Sequence, residues 1–465
     1  MTLDGARVTR VTGYGMASGA DGYLFRPATE AQIAECFELA RRTGRRVTLR
    51  GAGRSYGDAN YSAENLIVDL TRFDRILDWD PASGLIQVEG GTSLMAIWHK
   101  TLEDGWWLPV VSGTSYPTIA GALAMNIHGK NNFCMGTLGE HVRAIDVMIP
   151  SGEVRSLCPG DPLFRAVIGG AGLLAVILRV TLQMKRVTSG DVIVHAASVP
   201  CLEAQFETFE RFQPVSDYMV SWVDCFARGK GLGRGLFHSA DYPHLDAPDQ
   251  ASLKIAHQQI PDTVMGLLPK AVLWRFLKPL NRRSGMRFVN WAKYTMSKVL
   301  GGRGPHHQSL AEYSFLLDAV PDWRKAYLPD GFVQYQIFVP RAEAPRVFRR
   351  VLEMQQDARY ESFLGVMKRH RPDPFLVSCN LDGYSFAMDF KVRRRRLPEL
   401  QQLARRMTDV ALDAGGRFYF AKDSLLGPAD AVRYLGPALD EFRRVRAEAD
   451  PEGLLTSALA VRLEL

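Results

Sequence analysis

The sequence predicts an α+β fold in which a turn-rich unit is interrupted by a second unit built on an antiparallel sheet. Three observations predict it. Short β-branched runs alternate with glycine-rich turns over the first 190 residues, and from about 191 to 416 glycine thins out while long charged helices follow strands. From GRFYFAKDS onward the chain returns to strand-then-helix. At 465 residues it exceeds one ordinary core, and it divides as 1–190, 191–416 and 417–465, the last segment completing the first unit.

The elements follow in order. RRVTLRGAG (45–53), LIVDL (66–70), LIQVEGGT (85–92), VRAIDVMIPSGEV (142–154) and LLAVILRVTLQMK (173–185) read as strands. In AQIAECFELARRTG (31–44) the apolar Ile33, Phe37 and Leu39–Ala40 define one face of a helix ending at Gly44. SLMAIWHKTLEDG (93–105) is a second helix, with Ser93 as N-cap and Gly105 at its C-terminus. Further on, helices over 343–358 and 397–415 accompany strands FVQYQIFVP (332–340) and YSFAMDFKV (384–392).

Composition excludes several classes. Hydrophobic residues at 46% and charged residues at 23% describe a folded chain, not a disordered one. Cys36, Cys134, Cys158, Cys201, Cys225 and Cys379 show no C-x-x-C spacing, so neither a zinc site nor a disulfide scaffold is expected, and each reads as a small buried residue. No metal site is expected. The net charge of +7 is scattered and comes without a nucleic-acid-binding motif, so no nucleic-acid partner is expected. The N-terminus lacks a secretory apolar core, and the longest apolar run, GLLAVILRV (172–180), is far short of a membrane span. The expected location is cytoplasmic or peripheral on a membrane face.

Residues 260–305 depart from both textures. They carry nine Lys/Arg and one acid, Asp262, interleaved with Trp274, Phe276, Phe288, Trp291 and Tyr294. Such a segment suits an anionic amphiphilic surface, or a mobile lid with a solvated basic face. KVRRRR (391–396) reads as a solvated turn.

Chemistry concentrates in glycine clusters. RGAGRSYGD (50–58) follows the strand VTL, and its glycines free several N–H groups to point at one spot, a nest suited to phosphate. Its G-x-G-x-x-x-G spacing is not the Rossmann fingerprint. In SGTSYPTIAGALAMNIHGKN (112–131), Gly113, Gly121 and Gly129 recur every eight residues among small side chains, which permits close approach of a flat ligand. GGAG (169–172) is a third approach. Together they suit a large, polyphosphorylated, partly planar cofactor.

These three stretches, with IHGKN (127–131), FVQYQ (332–336), YFAKDS (419–424) and the ending VRLEL, resemble the vanillyl-alcohol-oxidase family of flavoproteins. Within it they are most similar to the branch that oxidises polyprenyl-phosphoryl ribose. The resemblance covers nearly the whole chain. It implies a PCMH-type FAD-binding domain, split around an inserted substrate domain.

It also implies roles for particular residues. Arg50, Gly51, Ala52, Gly53, Arg54, Ser55, Tyr56, Gly57 and Asp58 would wrap the FAD pyrophosphate. Gly113, Thr118, Ile119, Ala120, Gly121, Met125, Asn126, Ile127, His128 and Gly129 would run beneath the flavin, with Ile177 and Tyr419 completing the cofactor site. Arg54 stands where covalent members carry a histidine, so FAD is expected to be non-covalent. Lys422 matches the family's active-site lysine, with Tyr56 and His128 beside it as further catalytic residues.

Trp222, Tyr313, Gln334, Gln336, Lys368, Lys130 and Lys422 would line the substrate pocket, Gln334 and Gln336 sharing one strand face. Ala387, in GYSFAMDF (383–390), replaces a cysteine that mycobacterial members carry. The implied reaction is FAD-dependent oxidation of the C2′ hydroxyl of a polyprenyl-phosphoryl-β-D-ribose to the 2′-keto sugar, the first half of epimerisation to the arabinose donor. A separate NAD(P)H-dependent short-chain reductase would be the partner, and residues 260–305 would meet the membrane. The alternatives are a soluble alditol or aldonolactone oxidase of the same superfamily, and a non-catalytic FAD-fold or lipid-binding protein.

Overall fold

The structure is a computed structural model that describes residues 3–264, 268–300 and 304–465. Its mixed α/β architecture rests on three principal sheets. The first places Val8–Thr12, Gly19–Phe25, Leu66–Asp69 and Val47–Arg50 side by side, the outer pair antiparallel and the rest parallel. Helix Glu30–Arg42, capped by the Thr29 hydroxyl accepting from the Gln32 amide, buries Ile33, Cys36, Phe37, Leu39 and Ala40 against it. The second sheet is antiparallel, in the order Ile76–Asp80, Leu85–Glu89, Val176–Gln183, Val142–Met148 and Val154–Leu157. The run 142–154 is therefore the start of a hairpin rather than one strand, because Pro150 and Gly152 (φ +89°) turn the chain.

The third sheet has eight antiparallel strands: His306–Ser309, Asp191–Val199, Gly235–Asp241, Tyr218–Val223, Gly365–His370, Gly383–Lys391, Phe332–Pro340 and Arg417–Phe418. Helices Leu202–Phe212, Ala344–Asp357 and Leu397–Asp413 cover one face. Ser221 donates to Gln205 at 2.7 Å, the Tyr335 and Thr408 hydroxyls share a bond at 2.9 Å, and the Phe348 and Phe386 rings lie 5.2 Å apart. Alternation along the strands sends Trp222, His238, Lys368, His370, Ala387, Asp389, Gln334 and Gln336 to the other face. That face looks toward the glycine-rich unit.

Arg417–Phe418 joins the last segment to the edge of the sheet beside Ile337 and Phe338. The expected strand at GRFYFAKDS is only these two residues, and a tight turn, Phe420–Lys422, replaces the rest. Cys36, Cys225 and Cys379 are buried as expected, whereas Cys134 and Cys158 are exposed and Cys201 is half-buried. Of the basic segment, 265–267 and 301–303 lie outside the described residues. Its remainder forms helices Leu273–Leu280 and Arg283–Leu300, with Phe276, Phe288, Trp291 and Met296 exposed. No helix among the described residues is long and apolar enough to cross a membrane.

Candidate active site

The strand Val47–Arg50 delivers the first glycine loop to the edge of an open cleft. Arg50 through Tyr56 line it, together with Gly113, Thr118, Ala120, Gly121, Met125, Ile127, His128, Ile177 and Tyr419. Lys368 and Lys422 also reach it. Among the described residues the amides of Gly51, Ala52, Gly53, Arg54 and Ser55 donate to no protein acceptor, while the next amide, Tyr56, donates to the Ala421 carbonyl at 2.7 Å. Consecutive free donors beside a cleft floored by Ala120, Gly121, Ala122 and Ala124 fit a diphosphate joined to a flat ring. A Cβ on Gly51 would come within 2.2 Å of Thr118 Oγ1, so the two glycine stretches meet only because that side chain is absent.

Other residues of these stretches, Arg54 excepted, brace the cleft without lining it. A Cβ on Gly57 would overlap the Asp423 carbonyl at 1.8 Å, so this glycine is required by packing. Asp58 receives two bonds from Arg462, at 2.8 and 2.9 Å, and the same guanidinium lies 2.9 Å from Asp423. Ile119 is fully buried. The Asn126 side-chain oxygen Oδ1 accepts from the Gly139 amide, and Gly129 packs against Asn131. Arg54 lies between the rings of Tyr14 and Tyr116, 5.1 and 4.6 Å from their centroids.

The tight turn after Phe418 aims Lys422 into the cleft, and burial pushes its pKa down to about 8 against the opposing pull of Asp389. Asp389, fully buried on the inner face of the sheet, receives the Gln334 amide at 2.5 Å, and its other oxygen has no partner. Burial raises its pKa to about 7 despite Gln334 and Lys422. Asp389 was missed in the sequence, although a lone acid inside the apolar run YSFAMDF was a signal that could have found it.

The Tyr56 phenol packs edge-on to Tyr14 and Phe332, at 5.3 and 5.7 Å, and burial lifts its pKa well above 10. His128 meets Gln336 at 3.4 Å and His370 edge-on at 4.8 Å, and burial, then Lys368, keeps it neutral. His370, also missed, is fully buried between Ser385 at 2.7 Å and the carbonyls of Asn132 and Asn380 at 3.0 and 3.2 Å. Both asparagine oxygens accept from its Nδ1–H, which leaves Nε2 to accept from Ser385.

The remaining candidates stand back from the cleft. Lys130 donates to the Tyr313 carbonyl and lies 3.9 Å over that ring, and burial lowers its pKa to about 7. Trp222 is covered by Lys293 at 4.4 Å. Gln334 and Gln336 do share one face, but Gln334 is spent on Asp389 rather than open to the cleft.

A cleft with free loop amides, small-residue walls and a lysine in its lining fits an FAD-linked oxidoreductase, and residues 22–157 match the FAD binding domain family. Over 94% of its length the chain is 32% identical to the decaprenylphosphoryl-β-D-ribose oxidase of Mycolicibacterium smegmatis, covering 93% of that protein. It is 27% identical to an uncharacterised Streptomyces coelicolor protein over 78% of this chain and 97% of the other. An L-gulono-1,4-lactone dehydrogenase of Mycobacterium tuberculosis matches at 32% over 35% of this chain and 38% of its own. The chain belongs to the decaprenylphosphoryl-β-D-ribose oxidase family of FAD-dependent enzymes.

Proposed function

We propose that the protein oxidises the C2′ hydroxyl of a polyprenyl-phosphoryl-β-D-ribose to the 2′-keto sugar. A short-chain NAD(P)H-dependent reductase would then complete epimerisation to the arabinose donor. Residues 1–190 with 417–465 hold non-covalent FAD, and 191–416 supply the substrate face. The observation that carries the reading is Lys422, a half-buried amine lining the cleft, whose pKa burial lowers to about 8. FAD supplies the hydride acceptor when bound. The free amides of Gly51 to Ser55 would hold its diphosphate, and the small Ala120 and Gly121 would leave room for its ring.

Alcohol oxidation also needs a group to take the hydroxyl proton. Tyr56 stays a phenol and donates a hydrogen bond to the sugar. His128 stays neutral, turning one nitrogen to Gln336 and closing the cleft to water with Tyr419. Lys422 is left as the base, and Asp389 sets how readily it loses its own proton. The exposed aromatics and cations of Arg283–Leu300 suit a substrate delivered from a membrane surface.

The test is anaerobic bleaching of the flavin spectrum. Prenyl-phosphoryl ribose should bleach it, free polyols and aldonolactones should not, and Lys422→Ala should slow the bleaching by about a hundredfold or more. Bleaching by a lactone or polyol alone would instead favour the aldonolactone or alditol oxidase reading, which the lactone-dehydrogenase relative supports. Bleaching of Lys422→Ala at the parent rate would remove Lys422 from the chemistry.

A further inference from the structure

The run 391–396, expected as a solvated turn, divides its side chains between two surroundings. Lys391, Arg393 and Arg396 line a hollow that shares no residue with the catalytic cleft, while Arg394 and Arg395 are exposed outside it. Arg283 and Arg359 complete its basic wall. Apart from Glu361, the buried part of the lining is aromatic, Tyr360 and Phe363. The Tyr360 hydroxyl donates to the Lys391 carbonyl at 2.9 Å, and the Arg396 guanidinium lies 4.7 Å over its ring.

The carboxylates nearby are already matched. Glu361 accepts from Arg283 Nε at 2.7 Å, with Arg228 at 3.9 Å, and Arg396 is paired with Glu399 at 2.6 Å. Lys391 donates only to the Asn281 carbonyl, at 2.8 Å. Burial, then the charge of Arg393, lowers the Lys391 pKa against the pull of Asp330, which Arg394 holds at 3.1 Å. The side chains of Arg359 and Arg393 have no hydrogen bond or ion pair with any described residue. Arg359 is also held at φ +52°, a left-handed conformation that glycine would adopt more easily. Three cations thus converge on one hollow with no anion of their own.

The hollow lies at the elbow of the two basic helices. Lys391 holds the carbonyl of Asn281, which follows Leu273–Leu280, and Arg283 opens Arg283–Leu300. Phe276, Leu277 and Leu280 are exposed before the elbow, and Phe288 and Trp291 after it. We propose that Arg359, Arg393 and Lys391 form a phosphate site, occupied by the headgroup of an anionic membrane phospholipid. Guanidinium groups match phosphate oxygens in pairs, and exposed apolar side chains on both flanks suit the acyl region beside that phosphate. Being separate from the cleft, the site takes a lipid of the membrane rather than the substrate. The inference rests on the reading that this face meets a membrane, and it is independent of which alcohol is oxidised.

The test uses FAD-loaded protein and dihexanoyl phosphatidylglycerol, a soluble lipid that forms no bilayer. In calorimetry it should bind at one site, and Arg359→Gln with Arg393→Gln should weaken it on the order of tenfold or more. Arg394→Gln with Arg395→Gln removes the same charge from outside the hollow and should leave affinity within about twofold of the parent. Equal weakening by both pairs would mean diffuse charge and overturns the site. Glycerol phosphate should bind far more weakly, and equal affinity at the same arginines would reassign the site to free phosphate. Arg359→Gly should lose affinity yet melt no lower than the parent, whereas an arginine placed only for packing would lower the melting temperature. Co-sedimentation with phosphatidylcholine vesicles containing phosphatidylglycerol separates this inference from the reading beneath it. Undiminished sedimentation of the Arg359→Gln, Arg393→Gln protein overturns the lipid site alone. A parent protein that stays in the supernatant overturns the membrane reading as well.

Discussion

Lys422 and Asp389 face each other from different elements, each with its pKa moved toward neutrality by burial. A base must be neutral to accept a proton, and an amine with a pKa of about 8 is mostly charged below that pH. Flavin reduction should therefore rise with pH and level off above about 8, as stopped-flow absorbance would record. Asp389 raises the Lys422 pKa, so Asp389→Asn should move the midpoint to lower pH, and an unmoved midpoint would uncouple the pair. Arg54 yields a separate expectation. Its guanidinium, held between Tyr14 and Tyr116, offers no nucleophile comparable to a histidine, so acid precipitation should release all of the FAD into the supernatant. Flavin that stayed with the pellet would contradict non-covalent binding.

Among the elements, legibility followed locality. The glycine loops were readable because their function depends on spacing within a few residues. So were the helices over 30–42 and 397–413, whose buried stripes repeat at helical period. Strands such as Gly365–His370 were not, since three consecutive basic residues, Lys368, Arg369 and His370, show no apolar alternation. They are a strand because Lys368 and His370 face the polar cleft, while Arg369 on the other face is bound by Gln213 and Asp382. Asp389 was hidden for the same reason, its partners Gln334 and Lys422 arriving from other elements.

The turn carrying Lys422 is held through Arg462, which binds Asp58 and Asp423 at once. Arg462→Met leaves two buried carboxylates without their cation and should cost about 3 kcal/mol in urea unfolding, with loss of bound FAD. Arg462→Lys should recover part of the loss. Helix Arg283–Leu300 is an independent element in this sense. Phe288→Ser with Trp291→Ser should reduce co-sedimentation with anionic vesicles several-fold while leaving FAD content unchanged, and undiminished sedimentation would argue for a lid instead.

For the molecule as a whole, the sheet divides labour between its faces. One face is closed by helices Leu202–Phe212, Ala344–Asp357 and Leu397–Asp413, and the other is left polar for chemistry. The amide of Tyr56 is fastened to the carbonyl of Ala421, and Asp58 to Arg462, so a loop at 50–58 is completed by a turn and a helix about four hundred residues further on. During synthesis the pocket must accordingly wait half-built until residues 419–462 have emerged. A polypeptide that stopped before residue 419 would emerge with that loop unbraced and without Lys422 in the cleft, unready even in a cell rich in flavin.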